Sequence, residues 1–138
     1  MSDLAGPNSV DGIVSKRSPF GVAETVSRLT EAIVAAGAKV FAIIDQSTEA
    51  HQAGLELRDT RLVIFGNPAG GTPVMVAAPL AAMDLPLKVL VFADDTDRVW
   101  MSYLERSWLA ARYDLSADLA APLAAPAVLV AKIAASRS

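Results

Sequence analysis

The chain has 138 residues, 53% of them hydrophobic, and its 12 basic and 15 acidic side chains give a formal net charge of −3. This length predicts a single domain that buries roughly two-thirds of its unfolded surface in one core. The absence of cysteine excludes disulfides, thiolate nucleophiles and cysteine-ligated metals, and no block of Lys and Arg is present to contact the phosphates of a nucleic acid.

The N-terminal residues differ in composition from the rest of the chain. Residues 1–10 are small and polar, so we expect a disordered N-terminal segment followed by a single domain over 11–138. The segment lacks the basic cluster and apolar stretch of a secretory signal. Charges or prolines interrupt every run that approaches the roughly 20 apolar residues of a membrane span. We therefore expect a cytoplasmic protein with no membrane partner.

The first third of the chain predicts a strand, a helix and a second strand. A short edge strand over 12–16 comes first, and Ser18 followed by Pro19 predicts a helix N-cap with proline at the first helical position. Large apolar residues spaced three and four apart then line one face of a helix over 20–36. A glycine ends that helix, and 39–45 has the extended pattern of a strand.

The remaining elements are predicted in the same way. Thr72 before Pro73 repeats the cap-then-proline signal. Trp100 and Tyr103 are an odd number of residues apart, so they should point to opposite faces of their strand. The predicted segments are a short helix over 46–54, a strand over 61–65, a helical segment over 73–78, hairpin strands over 87–92 and 98–103, and helices over 105–113 and 116–135.

These elements predict an α+β fold, in which helices pack on a mainly antiparallel sheet of about five strands, in the order β-α-β-β-β-β-α with short helical insertions. Every residue of segments 40–44, 62–65 and 89–92 is apolar, so both faces of these strands are apolar. In a sheet with one face in water, apolar and polar residues alternate instead. The predicted helices cover one face. We therefore expect a symmetric homodimer to cover the other.

A glycine-rich loop over 65–73 is the densest cluster of unusual residues. Its glycines and a following helix N-terminus predict free backbone amides that hold an anion, although the lysine of a nucleotide-binding P-loop is missing. The alternative is a tight turn with a helix cap at Thr72. We expect a small molecule or a protein partner to bind near this loop. The candidate ligand-binding residues are Asp45, Arg58, Gly66, Asn67, Gly71, Thr72, Asp84 and Lys88.

A reaction is less clearly indicated. Asp45 and Asp84 each border a predicted strand, which makes an acid-base pair of a hydrolase or isomerase one hypothesis. Capping of separate turns is the alternative, and a purely structural role is a third. His51 is the only histidine, and a lone histidine makes a poor metal site, so we expect it on the surface. The sequence predicts no metal and no cofactor.

Several short motifs occur in order along the chain: Gly37-Ala-Lys-Val-Phe41 with Ile44-Asp45, Leu57-Arg58 with Thr60, Phe65-Gly-Asn-Pro68, Gly71-Thr-Pro73 with Met75, Asp84-Leu-Pro-Leu-Lys88, and Trp100 with Ser102-Tyr103. Together they resemble the domain of unknown function 302 family over residues 14–115. That family has no assigned reaction, and the resemblance implies the order β-α-β-β-β-β-α, a fold similar to the TATA-binding-protein-like class, and homodimers. Gln46 and Asp59 depart from the histidine and proline that many relatives carry at these positions.

Overall fold

The computed structural model describes residues 7–136, and residues 1–6 and 137–138 lie outside the described residues. The expectation of disorder over 1–10 therefore falls mostly outside the described residues. Residues 7–10 belong to no helix or strand. Regular structure begins with a strand at Ile13.

The strands form one antiparallel sheet, as the apolar β-branched runs predict. Five strands lie in the order β1-β5-β4-β3-β2, so that β1 and β2 are the two edges. The α+β class and the strand count are confirmed. The strands are β1 (Ile13–Ser18), β2 (Lys39–Asp45), β3 (Thr60–Gly66), β4 (Leu87–Ala93) and β5 (Val99–Leu104).

The helices follow the predicted order, with short insertions between strands. The longest is α1, which links the first two strands, and the C-terminal helices follow β5. The α-helices are α1 (Val22–Ala35), α2 (Gln46–Gln52), α3 (Pro68–Ala77), α4 (Arg106–Tyr113), α5 (Ala117–Ala120) and α6 (Ala125–Ala134), with 3₁₀ segments at Pro79–Met83 and Ala121–Ala124.

The predicted cap of α1 at Ser18 is wrong. Ser18 is the last residue of β1, and the helix begins at Val22 after Gly21. The Ser18 hydroxyl shares a hydrogen bond of 2.6 Å with the Thr25 hydroxyl and accepts a bond of 3.1 Å from the amide of Phe20. The hydrogen bond to Thr25 therefore joins the end of β1 to the second turn of α1 in a buried contact.

The predicted cap at Thr72 is also wrong. Helix α3 begins earlier, at Pro68, and Asn67 is its N-cap, with Oδ1 accepting a 3.0 Å hydrogen bond from the amide of Ala69. Two prolines compete for the first helical position, and Pro68 takes it because asparagine precedes it as a side-chain cap. Pro73 lies inside the helix.

Helices cover one face of the sheet. Leu29 of α1 and Val130 of α6 belong to one core cluster with the paired residues Val63 and Val89 of the sheet. The alternate residues face the other way and lie outside that cluster, only partly buried. They include Leu62, Ile64, Leu90 and Phe92. This second face is thus largely apolar and is not packed into the core.

One helical stretch of the described residues, Ala117–Ala134, meets the length and composition of a membrane-spanning helix, with a mean hydropathy of 1.6. It is not a continuous α-helix, because the 3₁₀ segment Ala121–Ala124 interrupts it. Its residues Leu129, Val130 and Ile133 are buried in the core of the domain. The same apolar composition is therefore explained by packing on the sheet.

Candidate functional site

The glycine-rich loop borders an apolar cavity of about 180 Å³. Strand β3 ends at Gly66 and strand β4 begins at Leu87, so the loop, α3 and the approach to β4 meet at one end of the sheet. The C-terminal 3₁₀ segment closes the wall from the other side. The lining residues are Phe41, Gly66, Asn67, Pro68, Gly70, Gly71, Thr72, Met75, Leu85, Pro86, Leu87, Pro122 and Leu123.

The backbone amides of this loop are not free to hold an anion. Pro68 has no amide hydrogen, and the amide of Ala69 donates to the Asn67 side chain. The amides of Gly70 and Gly71 both donate to the Asn67 carbonyl, at 2.9 Å. The donors of the first turn are thus satisfied within the chain, so the anion-cradle interpretation fails, and what remains is an apolar cavity.

The glycines of α3 have different surroundings. A Cβ added to Gly70 would lie 2.8 Å from Cβ of Pro122, so only glycine allows α3 to approach the C-terminal segment this closely. A Cβ added to Gly71 would meet nothing within 4 Å. Gly70 therefore sets the distance between two walls of the cavity, and Gly71 faces open space.

A second cavity, of about 150 Å³, lies where β4 and β5 separate. These strands pair only over 90–93 and 99–102, and beyond this Leu104 pairs with Ile13 of β1. Its polar lining residues are Asp84, Lys88, Ser102 and Tyr103.

Burial perturbs two groups in this second cavity. It lowers the pKa of Lys88 from the ordinary 10.5, an effect that the charge of Asp84 opposes. Burial also raises the pKa of Tyr103 from the ordinary 10.0, and the nearby charge of Glu105 adds to the rise. Lys88 Nζ donates to the carbonyl of Pro86 at 2.8 Å, which holds the ammonium group beside the start of β4.

Asp84, which follows the 3₁₀ segment Pro79–Met83, forms a small polar cluster with two residues of α4. The hydroxyl of Tyr113 donates a hydrogen bond to Asp84 Oδ2, and Nε of Arg112 lies 3.3 Å from the same oxygen. Nε of Arg112 also donates to the Tyr113 hydroxyl at 3.1 Å. Contact with Tyr113, and secondarily the charge of Asp84, raises the pKa of Arg112 above its ordinary value.

Asp45 is the N-cap of α2. Its Oδ1 accepts hydrogen bonds from the Ser47 hydroxyl at 2.6 Å and from the amide of Thr48 at 3.0 Å. The Ser47 bond chiefly, then the Thr48 amide, and last the Arg61 charge lower the pKa of Asp45 from 3.8 to about 2. Asp45 is thus an ionised helix cap at neutral pH.

The predicted site residues do not converge on one cleft. Asp45 pairs with Arg61 at one end of β3, whereas Asp84 precedes Leu87, which pairs with Phe65 near the other end. Four residues of strand span about 13 Å, so the acid-base pair of the hydrolase or isomerase hypothesis is not assembled. Arg58 lies in a third place, where it forms an exposed ion pair with Asp97.

The other candidates are distributed between the two cavities. Gly66, Asn67, Gly71 and Thr72 line the first cavity together. Asp84 and Lys88 line the second, and Leu87 lines both, so the two cavities are neighbours.

His51 lies exposed in the last turn of α2. Within residues 7–136, no three His, Cys, Asp or Glu side chains come together in a group able to hold a metal ion.

The sequence did not indicate several residues that line the first cavity or contact Asp84. Phe41, Pro122 and Leu123 line the first cavity, and Tyr113 contacts Asp84 from 29 residues away. Such contacts leave no local pattern in the sequence. The proximity of Pro122 had one indirect signal, the consecutive glycines at 70 and 71, which permit close approach of another segment.

Comparison with known proteins gives the family. The family model of the domain of unknown function DUF302 matches residues 14–130. The chain belongs to the DUF302 family. This confirms the resemblance seen in the sequence and extends it beyond residue 115.

This DUF302 domain is similar to a solved structure and to curated proteins. The crystal structure of an uncharacterized conserved DUF302 protein from Bacillus stearothermophilus superposes with a TM-score of 0.76 at 19% identity, over 90% of this chain and 97% of that chain, and therefore shares its fold. Fluoride-specific ion channel FluC 1 of Brucella suis and FluC 1 of Brucella abortus are each 38% identical over 104 residues, or 75% of this chain. The chain spans only 41% and 38% of the length of these two relatives.

Proposed function

We propose that this DUF302 domain binds a small apolar molecule in the cavity beside loop 66–72. The main support is the cavity itself, which has a volume of about 180 Å³ and is lined mainly by apolar side chains. A cavity of about 150 Å³ lined by apolar groups holds a molecule the size of benzene. The occupant is therefore expected to be a single ring or a short branched chain.

The wall also supports some selectivity. Asn67 and Thr72 are the polar side chains that line the cavity, and Asn67 is held in place by its bond to the amide of Ala69. Ligand sites of this kind combine an apolar surface with a few fixed polar groups that orient the ligand. A ring with one hydroxyl substituent fits this pattern better than an anion, because the loop amides already have partners.

Thermal unfolding in the presence of benzene and of phenol tests the proposal. A ligand at 100 times its Kd adds about 2.7 kcal/mol to the free energy of unfolding. The variant Gly71→Leu extends a side chain from an open position on the cavity wall and should abolish that gain. Val76→Leu, on the exposed side of the same helix, is the matched control and should keep it. No stabilisation of the wild-type protein by either compound would leave a structural role as the better account.

We further propose that the domain acts as a homodimer. The support is the apolar second face of the sheet, with Leu62, Ile64, Leu90 and Phe92 outside the core cluster. Contiguous apolar surface of this kind marks an interaction site in a folded protein. Sedimentation equilibrium over a range of concentrations tests it, and a monomer at every concentration would contradict it.

A second candidate function is association with a fluoride-channel-type membrane protein. The observation that favours it is the 38% identity to proteins named fluoride-specific ion channels, of which the chain spans about two fifths. Co-expression with the part of the Brucella suis relative outside the matched 104 residues, followed by purification in detergent, tests it. Co-purification that survives Gly71→Leu would separate this function from the cavity.

A further inference from the structure

Strands β4 and β5 separate near one end of the sheet, and the second cavity, of about 150 Å³, lies at this gap. Leu62 and Leu90 pair across β3 and β4 and line the cavity from the second face of the sheet. Leu87 and Leu109 line it from the other side, where both belong to the core cluster. The cavity therefore has apolar walls on both sides of the gap.

Lys88 is the one cationic residue in the lining of this cavity. Its Nζ donates one hydrogen bond, to the carbonyl of Pro86 at 2.8 Å, whereas an ammonium group has three donors. Within residues 7–136, Lys88 forms no ion pair. Burial lowers the pKa of Lys88 although the charge of Asp84 acts in the opposite direction. The half-buried ammonium group thus lacks a counter-ion that offsets its desolvation.

Asp84 also lines the cavity, but its carboxylate has other partners. Asp84 Oδ2 accepts a hydrogen bond from the Tyr113 hydroxyl and lies 3.3 Å from Nε of Arg112. The local group of charges therefore consists of two cations, Lys88 and Arg112, and one carboxylate. An anion that enters the cavity meets an excess of positive charge, and the cation without a carboxylate partner is Lys88.

Two hydroxyl groups add hydrogen-bonding capacity to the lining. Ser102, only 8% exposed, shares a 2.6 Å hydrogen bond with the Ser15 hydroxyl. Burial, and then the charge of Glu105, raises the pKa of the Tyr103 hydroxyl from its ordinary 10.0, so this group is a protonated donor at neutral pH. Small-molecule sites combine a few such polar groups with a mainly apolar surface. The lining thus favours a ligand that has an apolar body and one acceptor group.

We propose that the second cavity binds a small monocarboxylate, whose carboxylate pairs with the ammonium group of Lys88 and whose apolar body lies against Leu90 and Leu109. A cavity of about 150 Å³ accommodates a single ring or a short branched chain. One ammonium group suits a singly charged carboxylate better than a phosphate, which needs several donors. All of these residues belong to one protomer, and the ligand differs in charge from that proposed for the first cavity. The inference therefore depends on neither of those proposals.

Methyl NMR with benzoate and with isovalerate as the probes tests the inference. The neutral isostere benzamide is the matched control, because it has nearly the same shape as benzoate and no charge. Benzoate should shift the methyl resonances of Leu62 and Leu90 and leave that of Met75, which lines the first cavity, in place. The Kd for benzamide should be on the order of tenfold higher than that for benzoate, since the ion pair is lost. Equal Kd values, or no shift with either carboxylate, would overturn the inference.

Two charge-removing variants locate the bound carboxylate. Lys88→Met keeps an unbranched side chain of similar length and should raise the Kd for benzoate on the order of tenfold or more. Lys16→Met removes an exposed charge from edge strand β1, outside the cavity, and should leave that Kd unchanged. Gly71→Leu should also leave it unchanged, which separates this site from the first cavity. Unchanged affinity in Lys88→Met, or shifts confined to Met75, would overturn the assignment. The comparison of benzoate with benzamide in the wild-type protein decides the question even where Lys88→Met fails to fold.

Discussion

Gly70 of α3 lies directly against the ring of Pro122, and a Cβ at Gly70 would come within 2.8 Å of Cβ of Pro122. This contact joins the glycine-rich loop to the C-terminal helical segment, which are 52 positions apart in the sequence. The ring of Pro122 cannot rotate away as a flexible side chain would. The width of the first cavity therefore depends on glycine at position 70.

Alanine substitutions at the two consecutive glycines of α3 should have opposite effects. Gly70→Ala forces α3 or the 3₁₀ segment to shift and should lower the free energy of unfolding by about 1–3 kcal/mol. Gly71→Ala meets open space and should raise it by about 0.5–1 kcal/mol, because alanine favours a helix interior over glycine. Urea unfolding of both variants measures the difference, and equal effects would contradict the packing described here.

Gly12 is a second position at which glycine is required. Its φ is +85°, and a Cβ there would lie 2.5 Å from the Trp108 ring. Gly12→Ala therefore combines backbone strain with a clash and should lower the free energy of unfolding by more than about 2 kcal/mol. Urea unfolding measures the loss, and Gly37→Ala is the control, because Gly37 has a similar φ of +83° but open space around it. Equal losses in the two variants would show that the ring contact contributes nothing.

The fold was predictable where a local pattern determines it. The change from helical to extended periodicity placed α1 and β2 correctly, and the odd spacing of Trp100 and Tyr103 placed their side chains on opposite faces. Tyr103 packs against the core, and Trp100 pairs across the sheet with Phe92 on the second face. The number of strands and their order along the chain were also predicted, because alternation and turn residues are properties of near neighbours in sequence.

The errors arose where a tertiary contact or a competing local cap took the place of the expected local signal. Ser18 has the sequence of a helix cap, but Thr25 engages its hydroxyl and the helix starts later. The loop amides were predicted to bind an anion, but they donate hydrogen bonds to the carbonyl and side chain of Asn67 instead. Asp45 and Asp84 each end a segment, and only the strand register shows that they lie at opposite ends of β3. Which candidates share a cavity therefore had to come from the structure.

Tyr113 should contribute to stability through its bond to Asp84. Tyr113→Phe keeps the ring and removes the hydroxyl, which leaves the partly buried carboxylate with Arg112 as its remaining partner. The expected loss in the free energy of unfolding is about 1–2 kcal/mol. Tyr103→Phe, outside this cluster, is the control and should cost less. An equal loss in both variants would mean that the bond to Asp84 adds nothing beyond solvation.

Asp45 should make the stability of the domain sensitive to acid. Its pKa is lowered from 3.8 to about 2 in the folded protein, so its contribution to stability is fully present above pH 3.8 and is lost as the pH falls through about 2. Asp45→Asn retains a capping side chain but cannot titrate. The difference in Tm between the wild-type protein and this variant should therefore be largest near neutral pH and shrink between pH 4 and pH 2.

Ser47→Ala sharpens this prediction, because the Ser47 hydroxyl is the chief cause of the lowered pKa. In that variant the pKa of Asp45 should rise toward 3.8, so the acid-induced fall in Tm should be smaller than in the wild-type protein and should be complete at a higher pH. Carboxyl-carbon NMR titration of Asp45 measures the pKa directly in each protein. An unchanged midpoint in Ser47→Ala would show that the Thr48 amide and Arg61 hold the carboxylate ionised without the hydroxyl.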